Sequence, residues 1–526
     1  MLKKGLYSGF IKSIAAGMLM TSVLAGCGGG SETAVTPAAS AKPSPGQTAA
    51  QDEKPVELSW MVNNIVLPDS EGQKYVEQKF NVKLKMIAVS NADYAQRQQI
   101  MMSTGEVPDV MFVLDPNELK KYADQGLLAE VPMNLIEQYA PRTKALFQKY
   151  APQGWYYTEQ KGKNYGLPTL YGGQFTTPVA WRTDLLNKAG VTKIPETIDE
   201  MTAAFEALKK IGVFGMSSDG NSYYAAFQKI FGAYGVMPTQ WMVKDGKIVN
   251  GAVQPEAKEA LTLLADWYKK GYIDPEFVTG KDLGPKQLDG VFAFTDNSNV
   301  SATDETNPGS SITALKKLNP NGRLEFGPLP KGPKGQSGGW SWGSAGNMYA
   351  FGVQLAKEPE KLKKALEILE SAINDEDVFL MLSYGIKGKH WDFKNGTDLK
   401  EGVKQLAPYD DAKKLQEQGI YGGGKTFFGG TPDLELYNKY YGEKYLNINK
   451  TYGANAITDI FGKPDILPSA GQYWGDLKKL KVETYAKIIR GDIPVSNFDS
   501  FVKQWNDMGG EQLRKEGQAL YDSMKK

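Results

Sequence analysis

From residue 56 onward the chain alternates short apolar runs with amphipathic stretches. Val56–Val62 (VELSWMV) reads as a strand, Gly72–Phe80 as a helix and Val82–Val89 as a second strand. Asp93–Ser103 reads as a helix closed by Gly105, and PDVMFV (Pro108–Val113) as a buried strand that ends at Asp115. Strands and helices at this spacing predict an α/β fold with a parallel, doubly wound sheet. Ligands of such sheets bind beyond the carboxyl ends of the strands, which makes Asn63, Asn64 and Asp115 candidate site residues. Further on, Thr197 can cap a helix, with Glu200 completing a capping box and Ile198, Met201, Phe205 and Leu208 on its apolar face. Glu256–Lys270 and Glu358–Asn374 carry the same helical periodicity, the second with Leu362, Ala365, Leu366 and Leu369 on one stripe.

The start of the chain follows another pattern. Lys3, Lys4 and Lys12 precede a short apolar run, Ile14–Leu24, which ends at Leu24-Ala25-Gly26-Cys27. A basic start, a short apolar stretch and small residues at the cut predict a signal peptide over residues 1–26. The run is shorter than the ~20 apolar residues needed to span a bilayer. Cys27 is the sole cysteine, so no intramolecular disulfide is possible. Gly28–Pro55 is rich in Gly, Ser, Thr, Ala and Pro. It predicts a flexible tether with a reach of roughly 30 Å. The 61 basic and 60 acidic residues balance, and no basic patch stands out, so nucleic acid is not expected as a partner. The length is enough for two or three domains.

Two resemblances sharpen this picture. Ala25-Gly26-Cys27 resembles the lipobox of bacterial lipoproteins, which implies a lipid anchor on Cys27 and a place on the outer face of the bacterial cell membrane. The order strand, helix, STGEVPDVMFV and LKKYADQGLLAEV resembles the opening of the family 1 extracellular solute-binding proteins, lipoproteins that feed sugars to ABC importers. KGKNYGLPTLY, WRTDLLNKAGVTKIPETIDEMTAAFEALKK, LLADWYKKGYIDPEF and SYGIKGKHW are similar to successive family segments. YAKIIRGDIP and WNDMGGEQLRKE resemble the ending of the LipO-like branch. The resemblance implies a two-lobed, periplasmic-binding-protein-like fold of type II, with a doubly wound sheet in each lobe and three hinge crossings. We place these near 169–173, 336–340 and 395–399. Lobe one is then 56–170 plus 338–395, and lobe two 171–337 plus 396–526. The expected partners are a carbohydrate, the permease subunits of an ABC transporter and the membrane, with a monomeric chain.

Two literal enzyme motifs fail on context. Gly339-Trp340-Ser341-Trp342-Gly343 matches G-x-S-x-G, with Asp377 and the only histidine, His390, following in hydrolase order. Its lead-in, Pro333–Gly338, lacks the apolar strand that a nucleophile elbow needs. Gly419–Thr426 (GIYGGGKT) matches a P-loop, yet a polar helical stretch precedes it and FFGGTP follows it. A phosphate cradle requires a strand before and a helix after. No metal or cofactor is expected, since His390 is alone and no second thiol exists for zinc. The calcium loop of LipO-like relatives is echoed here only by Asp219, Gly220 and Asn221, so calcium is not carried over.

Sugars offer apolar C–H faces and hydroxyl edges, so their sites pair flat aromatic rings with amide or carboxylate groups. Candidates at the expected cleft are Tyr171 and Gln174 at the first crossing, Asp296 and Asn297 after the Val291–Phe294 strand, and Trp340 and Trp342 in the loop GGWSWGSAG. Tyr473 and Trp474 join them, placed where maltose-binding relatives carry a stacking tryptophan. The resulting expectation is a membrane-anchored receptor that takes up an oligosaccharide without covalent chemistry. A secreted glycoside hydrolase and a signalling or adhesion lipoprotein are the alternatives.

Overall fold

Two mixed sheets, each flanked by helices, organise the molecule in a computed structural model that describes residues 54–91, 93–305, 309–430 and 432–525. The expected signal peptide, Cys27 and nearly all of the expected tether lie outside the described residues. The strands that concern us are β1 (Val56–Val62), β2 (Val82–Ala88), β3 (Val110–Val113), β4 (Gly166–Gly173), β5 (Val179–Arg182), β6 (Phe214–Met216), β7 (Phe292–Thr295), β8 (Leu324–Gly327) and β9 (Gly343–Phe351). The first sheet has the order β2-β1-β3-β9-β4 and the second β8-β5-β7-β6. Fully buried Trp60 and Met61 on β1, and Trp181 on β5, anchor the layers beneath the two sheets.

The expected parallel sheet is correct for β1, β2 and β3 but not for the whole layer, because β9 runs antiparallel to both β3 and β4. The reason lies in the chain path. Gly173, the end of β4, pairs with Gly343, the start of β9. The chain leaves the first lobe through β4 and returns through its neighbour β9, so the returning strand must point the other way.

The local elements form for the reasons read in the sequence. Thr197 Oγ1 accepts from Glu200 N–H at 3.2 Å and the Glu200 carboxylate accepts from Thr197 N–H at 3.2 Å, completing the capping box of helix Ile198–Lys210. Asp115 caps helix Pro116–Asp124, its Oδ1 accepting from Asn117 N–H at 2.8 Å.

The third crossing is corrected. Residues beyond 399 remain bonded to the first lobe: Gly72 N–H donates to Gln418 O (2.9 Å), Asn64 Nδ2 to Phe427 O (2.9 Å), and Phe428 packs on Trp60 with ring centroids 4.4 Å apart. Helix Leu434–Tyr441 stays there too, with Tyr440 against Phe379. The next helix, Glu443–Tyr452, packs Ile448 and Tyr452 on the second lobe. Residues 453–457 then lie beside the other two crossings. Thr176 N–H donates to Gly453 O (3.0 Å), Gly339 N–H to Asn455 O (3.0 Å) and Ser341 N–H to Ile457 O (3.1 Å). A break at 395–399 would have stripped β1 of the loop that covers its end.

Candidate ligand-binding site

Three connected segments, at 173–179, 338–343 and 453–457, bring the two lobes edge to edge, and the site candidates distribute around them. Trp340 and Trp342 come from the 338–343 segment. Their backbone is fixed from below: Trp340 N–H donates to Gln228 Oε1 (3.1 Å), and Trp340 O accepts from Thr176 Oγ1 (2.8 Å). Both rings are half-buried and share a third ring that the sequence reading missed. Tyr224 lies 5.4 Å from Trp340 and 5.0 Å from Trp342. Burial, together with the negative charges of Asp465, Asp459 and Asp115, pushes the Tyr224 hydroxyl well above its usual pKa. Asn117 Nδ2 donates to Asp465 O (2.7 Å), Lys120 Nζ to Ile466 O (2.8 Å) and Lys463 Nζ to Leu114 O (3.1 Å), tying Asp115 and its helix to the 463–466 segment.

Asn63, Asn64 and Tyr171 meet in a cavity of about 360 Å³ at the carboxyl ends of β1 and β3. Its wall is the glycine-bearing 421–430 loop. Gly429 and Gly430 hold left-handed φ of 88° and 76°. A Cβ on Gly430 would stand 3.1 Å from the Tyr349 hydroxyl, so the loop can lie flat on the sheet end only as glycine. The sequence reading missed Asn91, Thr169, Asn347, Tyr421 and Lys425 in this cavity. Lys425 was in view as the lysine of the P-loop pattern. The structure gives that pattern helix Ala412–Glu417 before it and no helix until Leu434, so no phosphate cradle forms.

Asp296 and Asn297 line a separate cavity of about 220 Å³ in the second lobe. Asp296 is buried and its Oδ2 has no hydrogen-bond partner among the described residues. Burial pushes its carboxyl up and pushes fully buried Lys229 down, each opposed by the other's charge. Lys229 Nζ donates to Thr176 Oγ1 (2.6 Å), so this pair backs the first crossing. Asn297 is exposed and accepts from Thr177 Oγ1 (2.7 Å), and Gln174 is exposed on the connecting segment.

Two candidates are corrected. Trp474 is 2% exposed and packs against Trp241 (6.1 Å) and Trp505 (6.1 Å), so its ring fills the core between helices. Tyr473 faces the helix turn at Gly509, where an added Cβ would lie 2.3 Å from its ring. On an amphipathic helix, core-facing and cleft-facing aromatics look alike in sequence.

The hydrolase constellation does not assemble. Ser341 is buried and its Oγ donates to Gly173 O. Asp377 accepts from Tyr75 and Lys79, while His390 accepts from Ile386 N–H at Nδ1 (2.9 Å). Among the described residues no group of three or more His, Cys, Asp or Glu stands ready for a metal ion, and no helix is long and apolar enough to cross a membrane.

Two lobes joined by adjacent crossing segments, with aromatic and amide groups between and beside them, define a solute-binding receptor of the type II periplasmic class. The sequence profile of the bacterial extracellular solute-binding protein family matches residues 67–376, and the chain belongs to that family. It is 24% identical over 532 residues to the polygalacturonan/rhamnogalacturonan-binding protein YtcQ of Bacillus subtilis (strain 168), covering 97% of each chain. It is 23% identical to lipoprotein LipO of the same organism, covering 87% of this chain and 89% of LipO. Its fold matches the solved structure of the alginate-binding protein AlgQ2 without calcium ion at a TM-score of 0.66 and 21% identity, over 89% of this chain and 98% of that one.

Proposed function

We propose that the protein is a lipid-anchored receptor on the outer face of a bacterial membrane that captures an oligosaccharide and delivers it to the permease of an ABC importer. The observation that carries this reading is the Trp340–Trp342–Tyr224 trio on the segment that joins the lobes. Such a cluster of rings where the lobes join suits the apolar faces of sugars. The printed names of YtcQ and AlgQ2, which bind polysaccharides, support the same ligand class. The work of such a receptor is closure. A ligand that touches both lobes favours the closed form by its differential affinity, and the permease reads that form. No bond is made or broken: Ser341, Asp377 and His390 are each committed to other partners.

A thermal-shift panel of neutral and acidic oligosaccharides tests the reading. A ligand at a hundred times its Kd adds about 2.7 kcal/mol to native-state stability, so a binder raises the melting temperature. A flat response to every saccharide in the panel overturns it. Fractionation tests the anchor: Cys27→Ser should release the protein from the membrane fraction or leave it uncleaved, and unchanged fractionation overturns the anchor.

A further inference from the structure

The cavity at the ends of β1 and β3 has a charge pattern of its own. Among its lining residues Lys425 carries the only charge; the rest are amides, hydroxyls, rings, glycines and Leu114. Neutral sugars are commonly held by carboxylates that accept from their hydroxyls, and this cavity lines itself with none. Its remaining donors include Lys425, the hydroxyls and the Asn347 amide, since Asn63 Nδ2 and Asn64 Nδ2 already donate to Asn91 Oδ1 and Phe427 O. Asn347 Oδ1 is engaged by Lys463 Nζ at 2.7 Å, which turns the Asn347 amide nitrogen to other partners and sets a second cation behind the wall. Thr169 is 2% exposed, and its hydroxyl has no hydrogen-bond partner among the described residues. Tyr171 is 37% exposed, and Lys425 Nζ lies 6.0 Å from its ring centroid. Ring and cation thus frame one mouth.

We propose, resting on the carbohydrate reading above, that this cavity is a subsite for an acidic sugar and that Lys425 reads the carboxylate of a uronic acid. A pyranose that lies on the Tyr171 ring carries its carboxyl group at the ring edge, toward Lys425 Nζ. The ammonium donates to the carboxylate, and Thr169 and Asn347 donate to neighbouring hydroxyls. One cation matches a singly charged carboxylate better than a doubly charged phosphate. The P-loop-like glycines serve a different end here: they let the 421–430 loop lie close to the sheet and bring Lys425 to the mouth.

Calorimetry on the full chain tests this with tri-galacturonic acid, its fully methyl-esterified form, galactotriose and a sulfated galactotriose. The wild type should bind tri-galacturonic acid most tightly. Lys425→Gln should weaken that ligand about tenfold, with a smaller effect at high salt, because the lysine is exposed and a charge-assisted bond there is screened. It should leave the methyl ester unchanged, and Lys425→Arg should retain acid binding. A preference for neutral or esterified saccharides overturns the inference while the receptor reading stands, and so does equal loss of acid and ester in Lys425→Gln. Preference for the sulfated sugar overturns the carboxylate assignment. No binding of any saccharide overturns the receptor reading itself. Unchanged melting of free Lys425→Gln excludes misfolding as the cause.

Discussion

The rings of Trp340 and Trp342 meet edge to face, with centroids 4.7 Å apart and planes inclined by 69°. Two tryptophans at positions i and i+2 of an extended strand point to the same face. Here Gly343 follows at a left-handed φ of 71°, and Ser341 is pinned inward to Gly173 O. With Ser341 turned the other way, both rings gather over Tyr224.

That arrangement separates site tryptophans from core ones. Trp342→Ala removes two aromatic contacts worth about 0.5–1.5 kcal/mol each, so the free protein should lose about 1–3 kcal/mol. If a ligand covers a third of a ring of 150–250 Å², at about 25 cal/mol per Å² affinity should fall about 5- to 30-fold. Trp474→Ala, in the packed core, should cost about 3–5 kcal/mol of stability and leave the affinity of the folded fraction intact. Denaturation and calorimetry on both variants decide the matter. A reversed pattern would move Trp342 into the core and Trp474 into the site.

Ser341→Ala removes a buried hydroxyl that donates to Gly173 O. It should cost about 1 kcal/mol of stability and change no hydrolytic rate on ester or glycoside substrates. A hydrolytic activity of the purified protein that vanishes in this variant would make Ser341 a nucleophile after all.

Much of the frame was legible because it is local. β1 begins and ends where its apolar run does, and Thr197 with Glu200 spelled its own helix start. The antiparallel pairing of β9 was not legible, since its direction depends on where the chain re-enters the lobe. The wall of the Lys425 cavity was hidden for the same reason: Asn64 and Phe427 stand 363 positions apart and meet through one side-chain bond. Trp474 was placed by resemblance to maltose-binding relatives, and a resemblance gives a position along the chain, not what the ring touches in this fold.

Asp304 is 2% exposed and accepts from Lys444 Nζ (3.1 Å), Lys394 Nζ (3.4 Å) and the Tyr445 hydroxyl. It joins the turn after β7 to the Trp391–Phe393 hairpin and to helix Glu443–Tyr452. Asp304→Asn removes the charge and leaves two ammonium groups facing an amide. Because Lys444 is exposed, the loss should be about 1–3 kcal/mol rather than that of a fully buried pair. Urea denaturation checks it, and an unchanged midpoint would show that the lysines are satisfied by water.

Lys481 gives the clearest pH dependence. It is 2% exposed on helix Ala470–Arg490, its Nζ donates to Tyr223 O (3.1 Å), and it lies over the rings of Tyr223 (4.9 Å) and Tyr485 (5.2 Å). Burial pushes its pKa down to about 7. The usual value, near 10.4, holds in the unfolded chain. Between these two values the unfolded state binds a proton that the folded state does not. Stability from this group therefore rises with pH through the window from about 7 to 10, by at most ~1.4 kcal/mol per pH unit. Below about 7 both states are protonated and the buried charge exerts its full cost. Lys481→Met keeps the volume and removes the charge. It should stabilise the protein by about 3–4 kcal/mol at pH 6, after about 1 kcal/mol is lost with the bond to Tyr223 O. Near pH 10 the gain should vanish or turn slightly negative. Guanidinium denaturation at pH 6, 8 and 10 on both proteins gives the difference, in which the contributions of Asp459 and the buried tyrosines cancel. A constant difference across the three pH values would mean that Lys481 stays charged in the fold, held by the faces of Tyr223 and Tyr485.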